Sequence, residues 1–134
     1  MDITDKLFST ALDVRRNAYA PYSKFKVGAA IYADDLQIYK GCNVENVSFP
    51  CGTCAEAGAI AAMISHGAHH ISEILIVADS QEIITPCGTC LQRIAEFGTA
   101  DTIIHLSNLN GLQKSYKLAE MLPHGFFAGE LLKW

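Results

Sequence analysis

Leu7, Phe8, Ala11, Leu12 and Ala18 recur at helical spacing behind Thr4, a residue type that caps helices, so a helix is predicted from residue 4 to about 18. Ala20-Pro21-Tyr22-Ser23 breaks it. Lys26–Tyr32 (KVGAAIY) and Leu36–Gly41 read as strands on either side of the turn Ala33-Asp34-Asp35, which makes a hairpin. Asn43–Thr53 is polar and punctuated by Pro and Gly, and is expected as a loop. Cys54–His66 (CAEAGAIAAMISH) is an Ala-rich helix with no formal charge beyond Glu56, the pattern of a helix buried in a core or a subunit interface. Ile71–Ala78 is nearly all apolar, as a central strand covered on both faces would be. The loop Asp79–Pro86 leads into a third helix, from Cys87 to about Phe97. Thr102–Leu106 is a short strand, and Gln113–Lys117 carries a weaker strand signal. Leu118–Leu122 and Glu130–Trp134 each read as a single helical turn.

Helices alternating with strands place the chain in the α/β class, with a mixed sheet between helix layers. A chain of 134 residues suits one domain spanning 1–134, and half its residues are hydrophobic, enough for a substantial core. No apolar run reaches the roughly 18–20 residues that cross a bilayer, so no membrane partner is expected. MDITDKLFST lacks a basic start followed by an apolar stretch, so no secretory signal is read and a cytoplasmic location is expected. The net charge is −4 without a basic cluster, which argues against a nucleic-acid partner and for a small neutral or cationic one.

The chain has five cysteines, and four of them form two copies of CGTC, Cys51–Cys54 and Cys87–Cys90. In a reducing compartment such clusters bind metal or do chemistry more often than they form disulfides. A four-cysteine structural zinc site is the first reading. Yet a whole helix and strand separate the copies, which removes the usual compact zinc-ribbon picture. The flanking residues of the two copies also differ. Pro86 precedes the second copy, and Cys87 and Cys90, three apart at a helix start, can present two thiolates to one metal. The first copy runs into Ala55-Glu56. Residues two apart on a helix diverge by about 200°, so Cys54 and Glu56 meet only if Cys54 is the non-helical cap. Three thiolates with a fourth position open, beside a carboxylate that is not a ligand, make a catalytic rather than a structural zinc site.

With Cys54-Ala55-Glu56 and Pro86-Cys87-Gly88-Thr89-Cys90, the chain resembles the small tetrameric zinc-dependent cytidine deaminases. The resemblance extends over Ala20–Ala30 (APYSKFKVGAA), Gly41–Asn46 (GCNVEN) and Leu122–Phe126 (LPHGF), and so over nearly the whole chain. It implies a three-layer sandwich with a mixed five-stranded sheet. It implies one Zn²⁺ per chain held by Cys54, Cys87 and Cys90, and hydrolytic deamination of cytidine and deoxycytidine in pyrimidine salvage. Zinc-bound hydroxide would attack C4, with Glu56 as proton shuttle. Asn43 and Glu45 would bind the ribose, the Ala55 backbone the pyrimidine, and Phe25 and Phe126 the nucleoside. Phe126 would reach a neighbouring subunit's site, so a homotetramer is implied. Two departures stand out: Ala57 and Leu91 occupy positions where many relatives with three cysteine ligands carry arginines that offset the thiolate charge. Whether Arg93 replaces them is open from sequence.

Blander readings accompany each residue. Cys87 and Cys90 also fit a thioredoxin-type redox pair. Glu56 alone would be an ordinary first-turn carboxylate. Asn43 and Glu45 alone would be turn residues, and Phe25 and Phe126 core residues. Cys51 is expected in a loop or core, and Cys42 in packing. Alternative functions are deamination of another small aminated heterocycle, such as blasticidin S, and a structural zinc protein without turnover.

Overall fold

The computed structural model describes residues 1–127, so the helical turn predicted at Glu130–Trp134 lies outside the described residues. Five strands form one mixed sheet: β1 (Val27–Ala33), β2 (Ile38–Cys42), β3 (Ile71–Ala78), β4 (Ile103–Asn108) and β5 (Gly111–Lys117). Their order is β2-β1-β3-β4-β5; only β3 and β4 run parallel. β3 is the central strand, as its apolar run demands, and most of it is buried.

Helices cover both faces. α1 (Ile3–Arg15) lays Leu7 and Ala11 on Ala30, Leu75 and Val77. On the other face α2 (Ala55–Ser65) and α3 (Gly88–Phe97) pack on Ala29, Ile31, Ile74, Ile76, Ile104 and Leu106. The strand residues alternate between these two clusters because successive side chains point to opposite faces. A short α4 (Leu118–Met121) buries Leu118 in the second cluster.

Three sequence expectations need correction. Asp2, not Thr4, caps α1, its Oδ1 accepting the Asp5 N–H at 2.8 Å. The helix ends at Arg15 rather than Ala18, because the Tyr19 N–H is drawn to the Asn43 carbonyl at 3.0 Å and the chain leaves the helix to pair there. β5 begins at Gly111, two residues earlier than its weak alternation suggests, where a hairpin turn holds Gly111 at φ +147°.

Two glycines fix how closely helices approach the sheet. A Cβ on Gly28 would lie 2.1 Å from the Ala11 carbonyl oxygen, and one on Gly41 would lie 2.3 Å from the Ala59 nitrogen. Gly41 therefore lets α2 lie directly on β2, which sets the height of the α2 N-terminus above the sheet.

Candidate metal centre and substrate cavity

The two CGTC copies meet their helices in different register. Cys54, the last residue of the first copy, is the N-cap of α2, with extended backbone at φ −82°, ψ 163°. Cys87, the first residue of the second, is the N-cap of α3, at φ −70°, ψ 168°. Cys90 then falls in the first turn of α3 and is buried. Cys51 closes a short 3-10 turn, Phe49–Cys51, and is exposed. The cap conformation of Cys54 is what allows it to turn toward the same point as Glu56. Ligand atoms of Cys54, Glu56 and Cys90 all lie within 4.8 Å of one another. Cys87 lines the same cavity but is exposed and stands outside that group of three. Cys42, expected in packing, is only half-buried at the end of β2.

The electrostatics suit a cation. Cys54 is lowered to about 5 by the hydrogen bond it receives from Cys90, helped by the Ala57 backbone N–H and the Arg93 guanidinium. Cys90, the partner that keeps the proton, is raised. Arg93 Nη1 donates to Cys54 Sγ at 3.3 Å and to Cys90 Sγ at 3.6 Å. Sequence left Arg93 open; the structure places it on the thiols, in the role that Ala57 cannot fill. Leu91 is no alternative, because it is buried in the core. Arg93 follows Cys90 by three residues on α3, and that spacing is the signal that it could share the face of the thiol. A paired thiolate and thiol, a guanidinium donating to both sulfurs and two helix N-termini are a donor set suited to zinc.

Glu56, 5% exposed, is raised because burial disfavours its carboxylate. Ala55 is the first residue of α2, so its N–H is one of the helix-start donors without an intrahelical acceptor.

A cavity of about 650 Å³ joins this centre to a polar end built by Asn43 and Glu45. Asn43 directly follows β2, and loop 44–53 carries Glu45 there. Val44 and Thr53 exchange two backbone hydrogen bonds of 2.9 Å, so the loop closes on itself and sets Glu45 against Gly52. Asn43 Oδ1 accepts the Val27 N–H at 2.8 Å, and its Nδ2 donates to the Phe25 carbonyl at 2.8 Å. Glu45 Oε1 accepts the N–H groups of Tyr22 and Ser23 at 3.0 and 3.1 Å, and Oε2 accepts the Ser23 hydroxyl. That hydroxyl, first among the causes, holds the Glu45 carboxyl below its ordinary 4.5.

Neither phenylalanine expected at the substrate lines the cavity of its own chain. Phe25 is 38% exposed and Phe126 65%. Phe126 is nevertheless held: Gln92 on α3 donates to its carbonyl at 2.6 Å and accepts its N–H at 3.1 Å. Sequence reasoning passed over both Gln92 and Ser23. Gln92 stands two residues after Cys90, as Glu56 does after Cys54, and that echo was the available signal.

The family model "Cytidine and deoxycytidylate deaminase zinc-binding region" matches residues 1–106. The chain belongs to this family. It is 40% identical over 131 residues to the cytidine deaminase of Sporosarcina psychrophila, covering 98% of this chain and 96% of that one. It is 38% identical over 125 residues to the cytidine deaminase of Halalkalibacterium halodurans, covering 93% and 95%. The crystal structure of cytidine deaminase from Burkholderia pseudomallei superposes with a TM-score of 0.87 at 35% identity, over 94% of this chain and all of that one. The three-layer sandwich and the five-stranded mixed sheet are those of this family, and zinc is the family's metal.

Proposed function

We propose that this protein deaminates cytidine and deoxycytidine hydrolytically to the uridine forms, in the salvage of pyrimidines. The observation that carries the reading is one cavity with the thiol–carboxylate cluster at one end and Asn43 and Glu45 at the other. Its volume of about 650 Å³ has room for a heterocycle joined to a sugar.

Cys54 and Cys90 would hold zinc, and Cys87, the α3 N-cap on the same cavity, would be the third ligand. Zinc held there would supply a Lewis acid to activate the attacking water. Arg93 balances the thiolate charge. Glu56 takes a proton from the attacking water and passes it to N3 of the base; the water oxygen bonds to C4. Glu56 then carries the second proton to the amino group, the C4–N bond breaks and ammonia leaves. Burial raises the Glu56 carboxyl from its ordinary value, the direction that strengthens it as the acceptor of a proton. The free helix-start N–H of Ala55 orients the pyrimidine, and Asn43 and Glu45 take the sugar hydroxyls. Of roughly four lone-pair sites on the Glu45 carboxylate, three are engaged by the chain itself, leaving one for a hydroxyl.

We further infer a homotetramer in which Phe126 completes a neighbour's cavity, while Phe25, outside the lining of its own cavity but bonded to Asn43 and Ser23 at the rim, reaches the nucleoside there. Support comes from the Gln92 clamp, which fixes Phe126 outside its own cavity, and from Val47, Phe49 and Phe127 exposed in the neighbouring segments. The outward side of α2 carries Ala57 and Ala61 without any charge. Residues 1–134 act as one domain, and the free thiols suit the reducing cytoplasm.

The test is an absorbance assay with cytidine, deoxycytidine and free cytosine, run beside Glu56→Ala. Turnover of both nucleosides, with loss of activity but not of zinc in the variant, is the expected result. A zinc-loaded wild type that deaminates no pyrimidine nucleoside would sink the reading. A fully active monomer would sink the role of Phe126.

A further inference from the structure

The segment before β1 is bent into an unusual shape. The Lys24 N–H donates to the Ala20 carbonyl at 3.0 Å, and Lys24 then adopts φ +61°. That left-handed conformation is disfavoured for a side chain with a Cβ, and such residues persist where surrounding contacts over-determine them. Here the contacts converge on one hydroxyl. Ser23 Oγ accepts the Phe25 N–H at 3.0 Å and donates to Glu45 Oε2. Asn43 Nδ2 holds the other side of the same residue, at the Phe25 carbonyl. Phe25 is therefore pinned on both of its peptide groups, and the pins are Asn43 and a serine bonded to Glu45.

We propose that Ser23 is a positioning residue whose hydroxyl fixes the Glu45 carboxylate and the Phe25 backbone in one relation, so that the sugar end of the cavity is formed before substrate arrives. The proposal rests on the sugar-binding reading of Asn43 and Glu45 under Proposed function. Without the hydroxyl, Glu45 Oε2 loses its side-chain donor and the Phe25 N–H its acceptor. Only the two N–H bonds to Oε1 remain, and they leave the carboxylate free to swing about that oxygen. The lone-pair site left for the sugar is then no longer aimed. A contact to the sugar made equally in the ground state and the transition state is uniform binding, and its loss raises KM with kcat unchanged.

The test compares Ser23→Ala and Ser23→Thr with wild type, zinc-loaded, with cytidine as substrate. In Ser23→Ala, KM rises about tenfold while kcat stays within about twofold, a loss of binding rather than of chemistry. Ser23→Thr, which keeps a hydroxyl, restores KM to within about threefold of wild type. Hydrogen exchange in the absence of substrate gives a second readout: the Phe25 amide loses protection in Ser23→Ala while amides of β1 and β3 keep theirs. An unchanged KM in Ser23→Ala, or unchanged Phe25 protection, overturns the proposal while the deaminase reading stands. A fall in kcat and in the melting temperature that Ser23→Thr fails to correct also overturns it, because the turn is then only structural. Wild type without cytidine turnover overturns the deaminase reading itself, and the proposal falls with it.

Discussion

The two CGTC copies have identical letters and different chemistry, and the difference is a shift of three residues against the adjoining helix. In the first copy the fourth residue caps α2; in the second the first residue caps α3. Cys54 and Cys87 are thus the equivalent positions, both extended N-caps. Cys90 is carried one turn into its helix, where it is buried, and Cys51 is left outside in an exposed 3-10 turn. The residues two beyond each copy diverge as well. Glu56 points into the cavity as a buried carboxylate, whereas Gln92 turns away to clamp the Phe126 backbone. A repeat therefore supplies the proton carrier from one copy and a structural tie from the other.

Making the first copy like the second is the sharpest way to break this contrast. Glu56→Gln keeps shape and zinc but removes the proton carrier, and kcat for cytidine falls by about 10³-fold or more, as measured by the absorbance assay with zinc content in parallel. A variant retaining a tenth of wild-type kcat would return Glu56 to the role of an ordinary first-turn residue.

Cysteine replacements ask which member of each copy counts. Cys54→Ser weakens zinc binding by more than the roughly 10–100-fold that outer-shell changes cost, whereas Cys51→Ser changes it by less than about twofold. Chelator competition reads both. Equal losses in the two variants would restore the symmetrical picture of four ligands.

Arg93→Gln removes the guanidinium from both sulfurs. Zinc affinity drops about tenfold. In the zinc-free protein the sign of the pH effect is fixed. Cys54 is lowered to about 5, partly by Arg93, so removing the positive charge destabilises the thiolate and raises its pKa. Alkylation of Cys54 then reaches its half-maximal rate at higher pH than in wild type. Unchanged profiles would mean that the helix N-termini alone stabilise the thiolate.

Gln92→Leu frees the Phe126 backbone without touching the metal centre. KM rises a few-fold, roughly threefold to fivefold, with zinc affinity unchanged, since only a positioning contact is lost. Loss of zinc in this variant would tie Gln92 to the centre after all.

The smallest effect separates the two glycines. A Cβ on Gly88 meets nothing within 4 Å and lies in the first turn of α3, so Gly88→Ala raises stability by about 0.5 kcal/mol. A Cβ on Gly52 would meet the Phe49 and Val44 carbonyl oxygens at 3.3 Å, so Gly52→Ala gains nothing and costs a few tenths, about 0.3 kcal/mol, by thermal melting. Equal gains at both positions would argue that the copies share one local backbone.

Sequence by itself determined the layers and the chemistry types. The sequence pattern located α2 and β3 almost to the residue, because an uncharged Ala-rich run and a near-continuous apolar run are set by burial on a sheet, and the loop before Cys87 placed α3. It made a cap position for Cys54 the condition for its meeting Glu56, since side chains two apart on a helix diverge. It could not end α1, because that end is set by the pairing of Tyr19 with a loop some two dozen residues later. Nor could it choose among long side chains. Arg93, Gln92 and Ser23 each make their decisive contacts with residues far along the chain: Cys54, Phe126 and Glu45. No local rule fixes a partner at such separation. Only the packing of α2 against Gly41, the convergence of two helix starts and the closure of loop 44–53 bring those groups within hydrogen-bonding distance.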